Sequence, residues 1–204
     1  MAAAVNRVFP SSISSTGAWD DVLEGLQRAT VEILGRNGSR GAGVVWTADG
    51  LIVTNAHVVD GSAVVRLHDG RTLRAELVRR HPRADLAALR IRALGLEWAR
   101  LRDSQTLRAG EMVIAVGHPL GASGAVSAGI VHTTPAGAWI EADIRLAPGN
   151  SGGPLADASG RVIGINSMVA NGMGVAISTY GVQQFLRRQS SARRRVPAHL
   201  GGAA

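Results

Sequence analysis

A serine held among glycines is the first residue of this chain that could do chemistry. The stretch LAPGNSGGPL, residues 146–155, sets Ser151 between Gly149, Asn150, Gly152 and Gly153, with Pro148 and Pro154 outside them. Glycine at this density suits neither helix nor strand. It implies left-handed backbone, or close approach by another part of the chain. A serine hydroxyl is a weak nucleophile until a base takes its proton. That base is usually a histidine, oriented in turn by a buried carboxylate. Acyl transfer also needs backbone N–H donors aimed at the oxyanion that forms on the attacked carbonyl. Gly149 and Ser151 lie two residues apart, so a tight turn at GNS can aim both N–H groups into one small cavity. Gly152 and Gly153 then let the chain leave without side chains in the substrate's way. The plainer alternative is a glycine-rich turn with a bystander serine, which leaves five constrained residues in a row unexplained.

Six histidines compete for the role of base. His57, in LIVTNAHVVD, stands out by context, just past a strongly apolar run and at the start of a tight turn. His68 lies beside a hairpin turn, His81 and His118 each precede a proline, His132 sits among threonines, and His199 is in the tail. For the carboxylate, Asp85 opens the apolar run DLAALRI. An acid there is at the mouth of the core, or buried with a partner, or simply the turn residue at a strand start. There is no cysteine, which excludes disulfides, thiolate metal sites and a cysteine nucleophile.

Elements must bring these residues together. Trp19, Val22, Leu23 and Leu26 recur at helical spacing, which predicts a short helix over Ala18–Ala29 with Asp20 and Asp21 in its first turn. Strand patterns then dominate. TVEILGR, GAGVVWT and LIVTN follow one another, the last two joined through Asp49-Gly50, and AVVRL and TLRAELVRR are joined through Asp69-Gly70; both dipeptides favour hairpins. LAALRI, EMVIAVG, GAVSAGIVHTT, AWIEAD, RVIGINSMVA and GVAIS come at short intervals after them. About ten short strands with turns between them predict an all-β barrel or sandwich. A closing helix is expected from Ser178, as N-cap, to Arg188, with Val182, Phe185 and Leu186 as its apolar stripe.

The chain has 204 residues, 46% of them hydrophobic, enough for one domain with a real core plus tails. Its net charge is +7 and every basic residue is arginine. Arg187, Arg188, Arg193, Arg194 and Arg195 stand near the end with no acid among them, so the part before them is close to neutral. Residues 189–204 read as a basic disordered tail, solvated or in contact with nucleic acid or anionic lipid. Residues 1–16, rich in serine and small residues, read as a flexible arm, which leaves 17–188 for the folded domain. No apolar run is long enough to span a membrane, and the N-terminus lacks the apolar core of a signal peptide. As it stands, the sequence is expected in the cytoplasm, or in the periplasm or outside the cell if an export segment has been removed.

TNAHVV, DLAAL and GNSGGPL occur in the order His, Asp, Ser. Together they resemble the three catalytic blocks of trypsin-like serine proteases, and specifically the HtrA/Deg branch of that fold. The order is the chymotrypsin one, distinct from those of subtilisin and the α/β-hydrolases. GAGVVWTADGLIVTNAHVV, VIAVGHPLG, VSAGIVH and VIGINSMV with GVAIS are also similar to strands of that family, in sequence order, over about residues 27–188. The resemblance implies two six-stranded antiparallel β-barrels, with short N- and C-terminal helices and the active site between them. It implies a serine endopeptidase working through an acyl-enzyme, without metal or cofactor, on polypeptide substrates. His57 would be the general base, Asp85 its orienting carboxylate, Ser151 the nucleophile, and the N–H groups of Gly149 and Ser151 the oxyanion hole. Ser167, Met168 and Val169 would form the edge that pairs with substrate. Leu146 and Met168 would line the specificity pocket, for cleavage after small or medium aliphatic residues. Arg145 stands where a trypsin-type pocket would need an acid.

Some positions depart from the wider pattern. Asn150 occupies the place of an aspartate found in digestive proteases, so activation by a freed N-terminus is not expected. Little sequence follows the last helix, so the PDZ domain common in HtrA/Deg proteins is not expected. The short link between NSMVA and GVAIS implies an open cleft. Members of the family often trimerise through the N-terminal segment, where Val8, Phe9, Ile13 and Trp19 are apolar here. Two other readings stand beside the peptidase: a non-catalytic or latent peptide-binding, chaperone-like relative on the same fold, and a peptidase tethered by its arginine tail.

Overall fold

The computed structural model describes residues 16–36, 38–118, 124–133 and 137–193. Helix α1, Thr16–Arg28, leads into the first barrel. Its strands are β1 Thr30–Gly35, β2 Arg40–Val45, β3 Leu51–Thr54, β4 Ala63–Arg66, β5 Thr72–His81 and β6 Leu86–Arg90. The second barrel holds β7 Met112–Gly117, β8 Ala125–Val131, β9 Trp139–Asp143, β10 Pro154–Asp157, β11 Val162–Ala170 and β12 Met173–Ser178. Helix α2, Thr179–Arg193, closes the described chain. Each set of six closes on itself, in the order β1-β2-β3-β6-β5-β4 and β10-β11-β12-β9-β8-β7, and every pairing is antiparallel. The all-β fold with two six-stranded antiparallel barrels is therefore as expected.

The strands form because their apolar residues have somewhere to go on alternate faces. Val31, Ile33, Ile52, Val65, Leu89 and their neighbours fill the first barrel. Val113, Ala115, Ile140, Leu155 and Ile163 fill the second. A third cluster, including Val44, Val53, Leu86, Ile114, Val116 and Ile165, joins the two barrels back to back. Each fully buried Val, Leu or Ile contributes about 1.5–3 kcal/mol, so the seam is held as firmly as either interior. Helix α2 is bound into that seam. Val182 and Phe185 are buried in it, the Arg79 guanidinium of β5 lies 4.8 Å from the Phe185 ring centroid, and its Nη1 donates to the Phe185 carbonyl at 2.6 Å. Ser178 caps the helix as expected, its Oγ accepting the Gly181 N–H at 3.2 Å.

Several boundaries differ from the sequence reading. Helix α1 starts two residues before Ala18, at Thr16, so its first turn carries no acid and Asp20 and Asp21 fall later. Its stripe buries Leu26, while Trp19 stays 39% exposed. Helix α2 runs to Arg193, five residues beyond Arg188 and into the segment read as a disordered tail. The remaining tail, 194–204, and the arm residues Val8, Phe9 and Ile13 lie outside the described residues. Strand β10 was not foreseen, because a proline opens it directly after two glycines. The link from β11 to β12 is as short as expected: Asn171 and Gly172 both take positive φ, 51° and 79°, the pattern of a two-residue hairpin.

At the end of β10 an ionic network ties the second barrel to the loops beside it. Asp157, 4% exposed, accepts from Arg161 Nη2 at 2.8 Å and lies 3.4 Å from Arg102 Nη1, while Arg102 pairs with Glu111 at 2.5 Å. Burial by itself pushes the Asp157 carboxyl up, but hydrogen bonds from the Arg161 side chain and from the N–H groups of Arg161 and Ser159 outweigh it and hold it below the ordinary range. A carboxyl lowered by folding stabilises the native state above its unfolded value, about 3.9, and loses that contribution as pH falls through the folded value. Asp157→Asn is therefore expected to cost about 1–3 kcal/mol at neutral pH and to flatten the acid side of the stability profile. Denaturant unfolding from pH 7 down to pH 2 checks both; an unchanged profile would contradict the network's role.

Candidate active site

His57 and Asp85 stand on neighbouring strand ends. His57 lies in the turn after β3, closed by the Val58 N–H on the Asn55 carbonyl at 3.3 Å. Asp85 ends the short 3₁₀ turn Pro82–Ala84 and precedes β6. Because Thr54 of β3 pairs with Ala87 of β6, the two loops meet at one end of the barrel. His57 Nδ1 is 2.9 and 3.0 Å from the two Asp85 carboxylate oxygens, and the His57 backbone N–H donates to Oδ1 at 3.1 Å. A carboxylate can only accept, so Nδ1 carries the proton and Nε2 is left as the basic nitrogen.

Asp85 adopts φ 50°, the left-handed region. That costs a non-glycine residue about 1–2 kcal/mol. The strain is held by the His57 contacts and by Asn55 Nδ2, which donates to the Asp85 carbonyl at 3.0 Å. Burial pushes the Asp85 carboxyl up, yet hydrogen bonds from His57 and Ser167, with the charge of His57, outweigh burial and hold it below the ordinary value. Asp85 is thus a half-buried acid with a partner, at the strand start where the sequence left three options open.

Ser151 sits in a turn pinned on both sides. Asn150 N–H donates to the Ala147 carbonyl at 3.0 Å, Gly153 N–H to Asn150 at 3.0 Å, and Gly152 N–H to Asn166 at 2.8 Å. The Ser151 carbonyl accepts from Ala42 of β2 at 2.8 Å, and the Gly149 carbonyl accepts from His118 N–H at 3.0 Å. Gly149 and Gly152 take φ of 103° and 85°. Among the described residues, neither the Gly149 N–H nor the Ser151 N–H donates a hydrogen bond. Both donors are therefore available to an acceptor from outside the chain, as an oxyanion would be.

Gly152 shows why the glycines are required. A Cβ there would lie 2.1 Å from the Ala42 carbonyl oxygen and 2.2 Å from Thr54 Oγ1, on backbone already at positive φ. Gly152→Ala is expected to lower stability by about 3 kcal/mol or more, because left-handed strain and a backbone clash add. An unchanged unfolding midpoint would show that the turn is not wedged between the barrels.

Ser167 has a part that the sequence reading missed. It was placed on the substrate edge, but its side chain is buried, and its Oγ donates to Asp85 Oδ2 at 2.6 Å. Its carbonyl accepts from Ser151 Oγ at 3.3 Å. It therefore touches both the carboxylate and the serine. The register shift between Asn166 and Met168, opposite β12, turns Ser167 out of the ladder towards them. The pattern VIGINSMVA gave no sign of this shift. Met168 and Val169, which follow it in β11, are 47% and 54% exposed. No hydrogen bond joins Ser151 Oγ to His57 among the described residues; the hydroxyl is turned to Ser167 instead.

Beside Ser151 lies a cavity of about 290 Å³, lined by Leu146, Pro148, Asn150, Asn166, Met168 and Val169 among others. Leu146 and Met168, the residues expected at a specificity pocket, both line this cavity. Arg145 is exposed and does not line the cavity, and no carboxylate does. The remaining histidines are not brought to the serine's hydroxyl. His68 lines a separate cavity of about 310 Å³ with Arg28, Asp69, Arg71 and Glu97, away from all three of Ser151, His57 and Asp85. His81 Nδ1 accepts the Ala84 N–H at 3.1 Å, within the turn that presents Asp85. His118 contributes its backbone N–H to Gly149, and burial pushes its ring pKa down. His199 lies outside the described residues. Among the described residues, no group of three or more His, Cys, Asp or Glu could hold a metal, and no helix is long and apolar enough to cross a membrane.

Known proteins share this layout. The family model of the trypsin-like peptidase domain matches residues 41–165. Serine protease HTRA2, mitochondrial, of Drosophila pseudoobscura pseudoobscura is 40% identical over 180 residues, 80% of this chain and 42% of that protein. The HTRA2 of Drosophila virilis is 39% identical over 180 residues, 80% of this chain and 43% of that protein. A probable periplasmic serine endoprotease DegP-like of Marinomonas sp. (strain MWYL1) is 42% identical over 144 residues, 66% of this chain and 31% of that protein. The chain thus spans less than half the length of these relatives, whose names carry different compartments. With its two closed barrels and these matches, the chain belongs to the trypsin-like peptidase family and is homologous to the HtrA2 and DegP-like serine proteases within it.

Proposed function

We propose that the chain is a serine endopeptidase in which Ser151, His57 and Asp85 form the catalytic triad. The observation that carries this reading is the His57–Asp85 pair at 2.9 Å, with its free Nε2, set in the same site as a serine whose own N–H and that of Gly149 are unpaired among the described residues. Substrate binding displaces Ser151 Oγ from the Ser167 carbonyl towards His57 Nε2. Nε2 takes the hydroxyl proton as Oγ attacks the scissile carbonyl carbon, and the oxyanion falls to the Gly149 and Ser151 N–H groups. The tetrahedral species collapses, the C–N bond breaks, and His57 hands its proton to the leaving amine. Water then attacks the acyl-enzyme by the same route and frees the acid and Ser151. Asp85, kept ionised by His57 and Ser167, holds the ring and balances the imidazolium.

The substrate in this reading is an extended polypeptide lying along Met168–Val169, with its side chain N-terminal to the cut in the cavity beside Leu146 and Met168. The apolar walls favour small or medium aliphatic residues there. In the free chain the Ser151 hydroxyl is bonded to Ser167, not to His57. Catalytic hydrogen bonds are often loose until substrate arrives. Incubation with an unfolded protein such as a casein, with cleavage sites mapped by mass spectrometry, tests the reading. Cuts that vanish with Ser151→Ala support it. An unfolded substrate left whole, yet bound, supports the peptide-binding alternative instead.

A further inference from the structure

A cleaved polypeptide has two halves, and the cavity beside Leu146 and Met168 receives only the half N-terminal to the cut. The leaving half begins at the amine that takes its proton from His57. Its first residues therefore pass the turn that carries His57, on the first barrel and not on β11. Val58, the next residue of that turn, packs on the start of β2. A Cβ on Gly41 would stand 2.8 Å from both Val58 Cγ atoms and 2.9 Å from the Ser151 carbonyl oxygen. Ser39 Oγ donates to the Val58 carbonyl at 2.7 Å. Ser39, Arg40 and Gly41 thus border the way out of the site.

The register of β2 places Arg40 on the side of the serine turn. Side chains of a strand alternate between its two faces. Val44 is buried in the seam between the barrels, and the Ala42 Cβ lies 3.1 Å from where a Gly153 Cβ would stand. Arg40 comes next on that face, roughly 7 Å along the strand from Ala42. There the seam opens, and the Arg40 side chain is 58% exposed. Glu32 of β1 pairs in register with Ala42, and Arg66 of β4 with Glu32. The buried Glu32 carboxylate is taken by Arg66 at 3.1 Å, while Arg40 stays 3.9 Å from it, beyond hydrogen-bond reach. The Arg40 guanidinium donates no hydrogen bond among the described residues. Nearby, Arg36 Cδ lies 4.0 Å from where a Gly61 Cβ would stand, beside the exposed Asp60. Three arginines therefore stand with two acids on this surface, and one of those acids is buried and already paired.

Resting on the peptidase reading above, we infer that Arg40 is a specificity-determining residue for the leaving half of the substrate, selecting an aspartate or glutamate within the first two residues C-terminal to the cut. A carboxylate there gives the guanidinium the planar, charged partner that Glu32, taken by Arg66, does not. A lysine or arginine meets a like charge instead. The apolar cavity reads the residue before the cut and Arg40 reads those after it, so the two preferences are independent.

Peptides with one fixed aliphatic N-terminal half, and Glu, Gln or Lys at the first or second position after the cut, test this on the intact chain. The readout is kcat/KM, with the cut located by mass spectrometry. At one of the two positions Glu is expected to exceed Gln about threefold at low salt, the scale of one exposed charge pair. It should exceed Lys about tenfold, because attraction and repulsion add. Raising the salt should shrink both ratios, since exposed charges are screened. In Arg40→Gln the Glu/Gln ratio should fall to about one; the side chain is exposed, and the ratio is read within the variant, so a change in its overall rate does not enter. Equal rates for Glu, Gln and Lys at both positions, or a preference for Lys, overturn the inference and leave the peptidase reading standing. A Glu preference that Arg40→Gln leaves intact also overturns it. Cleavage of none of the peptides, nor of an unfolded protein, overturns the peptidase reading and this one with it.

Discussion

Ser151→Ala is expected to lower kcat/KM for any cleaved polypeptide by about 10⁵-fold while leaving the unfolding midpoint nearly unchanged. The side chain is only partly buried, and its one hydrogen bond among the described residues, 3.3 Å to the Ser167 carbonyl, is long. The turn around it is held by backbone contacts from Ala42, His118 and Asn166, none of which the substitution touches. Removing Oγ therefore removes the nucleophile and little else. The free N–H groups of Gly149 and Ser151 survive, so a small residual rate over water is expected from them and from binding. A variant with full activity would mean that another group attacks.

Asp85→Asn is expected to cost about 10⁴-fold in kcat, with KM little changed. Asp85 takes three donated hydrogen bonds on its carboxylate: the Nδ1–H and backbone N–H of His57, and the Ser167 hydroxyl. An amide keeps the shape but turns one acceptor into a donor. With NH₂ facing His57 Nδ1, the ring proton moves to Nε2, and the base then offers a proton to Ser151 where it should take one. The pH dependence follows the same logic. Folding holds Asp85 below its ordinary value, so it stays ionised as pH falls towards about 4, and loss of activity above that point must come from another group. A purely structural role for Asp85 would instead show as a lowered unfolding midpoint with activity per folded molecule retained.

Much of this site could be read from the sequence because chemistry constrained it locally. GNSGGPL can only be a strained turn, and the structure shows the contacts behind two of its glycines, Gly152 against Ala42 and Thr54 and Gly153 against Val116. His57 was picked from six by its place after an apolar strand, and the β3–β6 pairing explains why that place lies beside Asp85. The double hairpin glycines, Gly50 and Gly70, take φ of 86° and 87°, as their Asp-Gly turns required.

What could not be read depends on register and on contacts between distant segments. Ser167 reaches Asp85 across 82 residues only because β11 shifts register between Asn166 and Met168, and no alternation in VIGINSMVA encodes that shift. Strand β10 was hidden by its proline. Helix α2 outran its expected end because its polar last turns hold no apolar stripe to extend the pattern.

The most direct test of the account is covalent labelling of the intact chain with a fluorophosphonate, located by mass spectrometry, with Ser151→Ala alongside. A phosphonyl group forms on a serine only where a base and an oxyanion hole act together. The account predicts one modification, on Ser151, lost in the variant. A well-folded chain that takes no label, or takes it on another residue, would contradict an activated serine at this site.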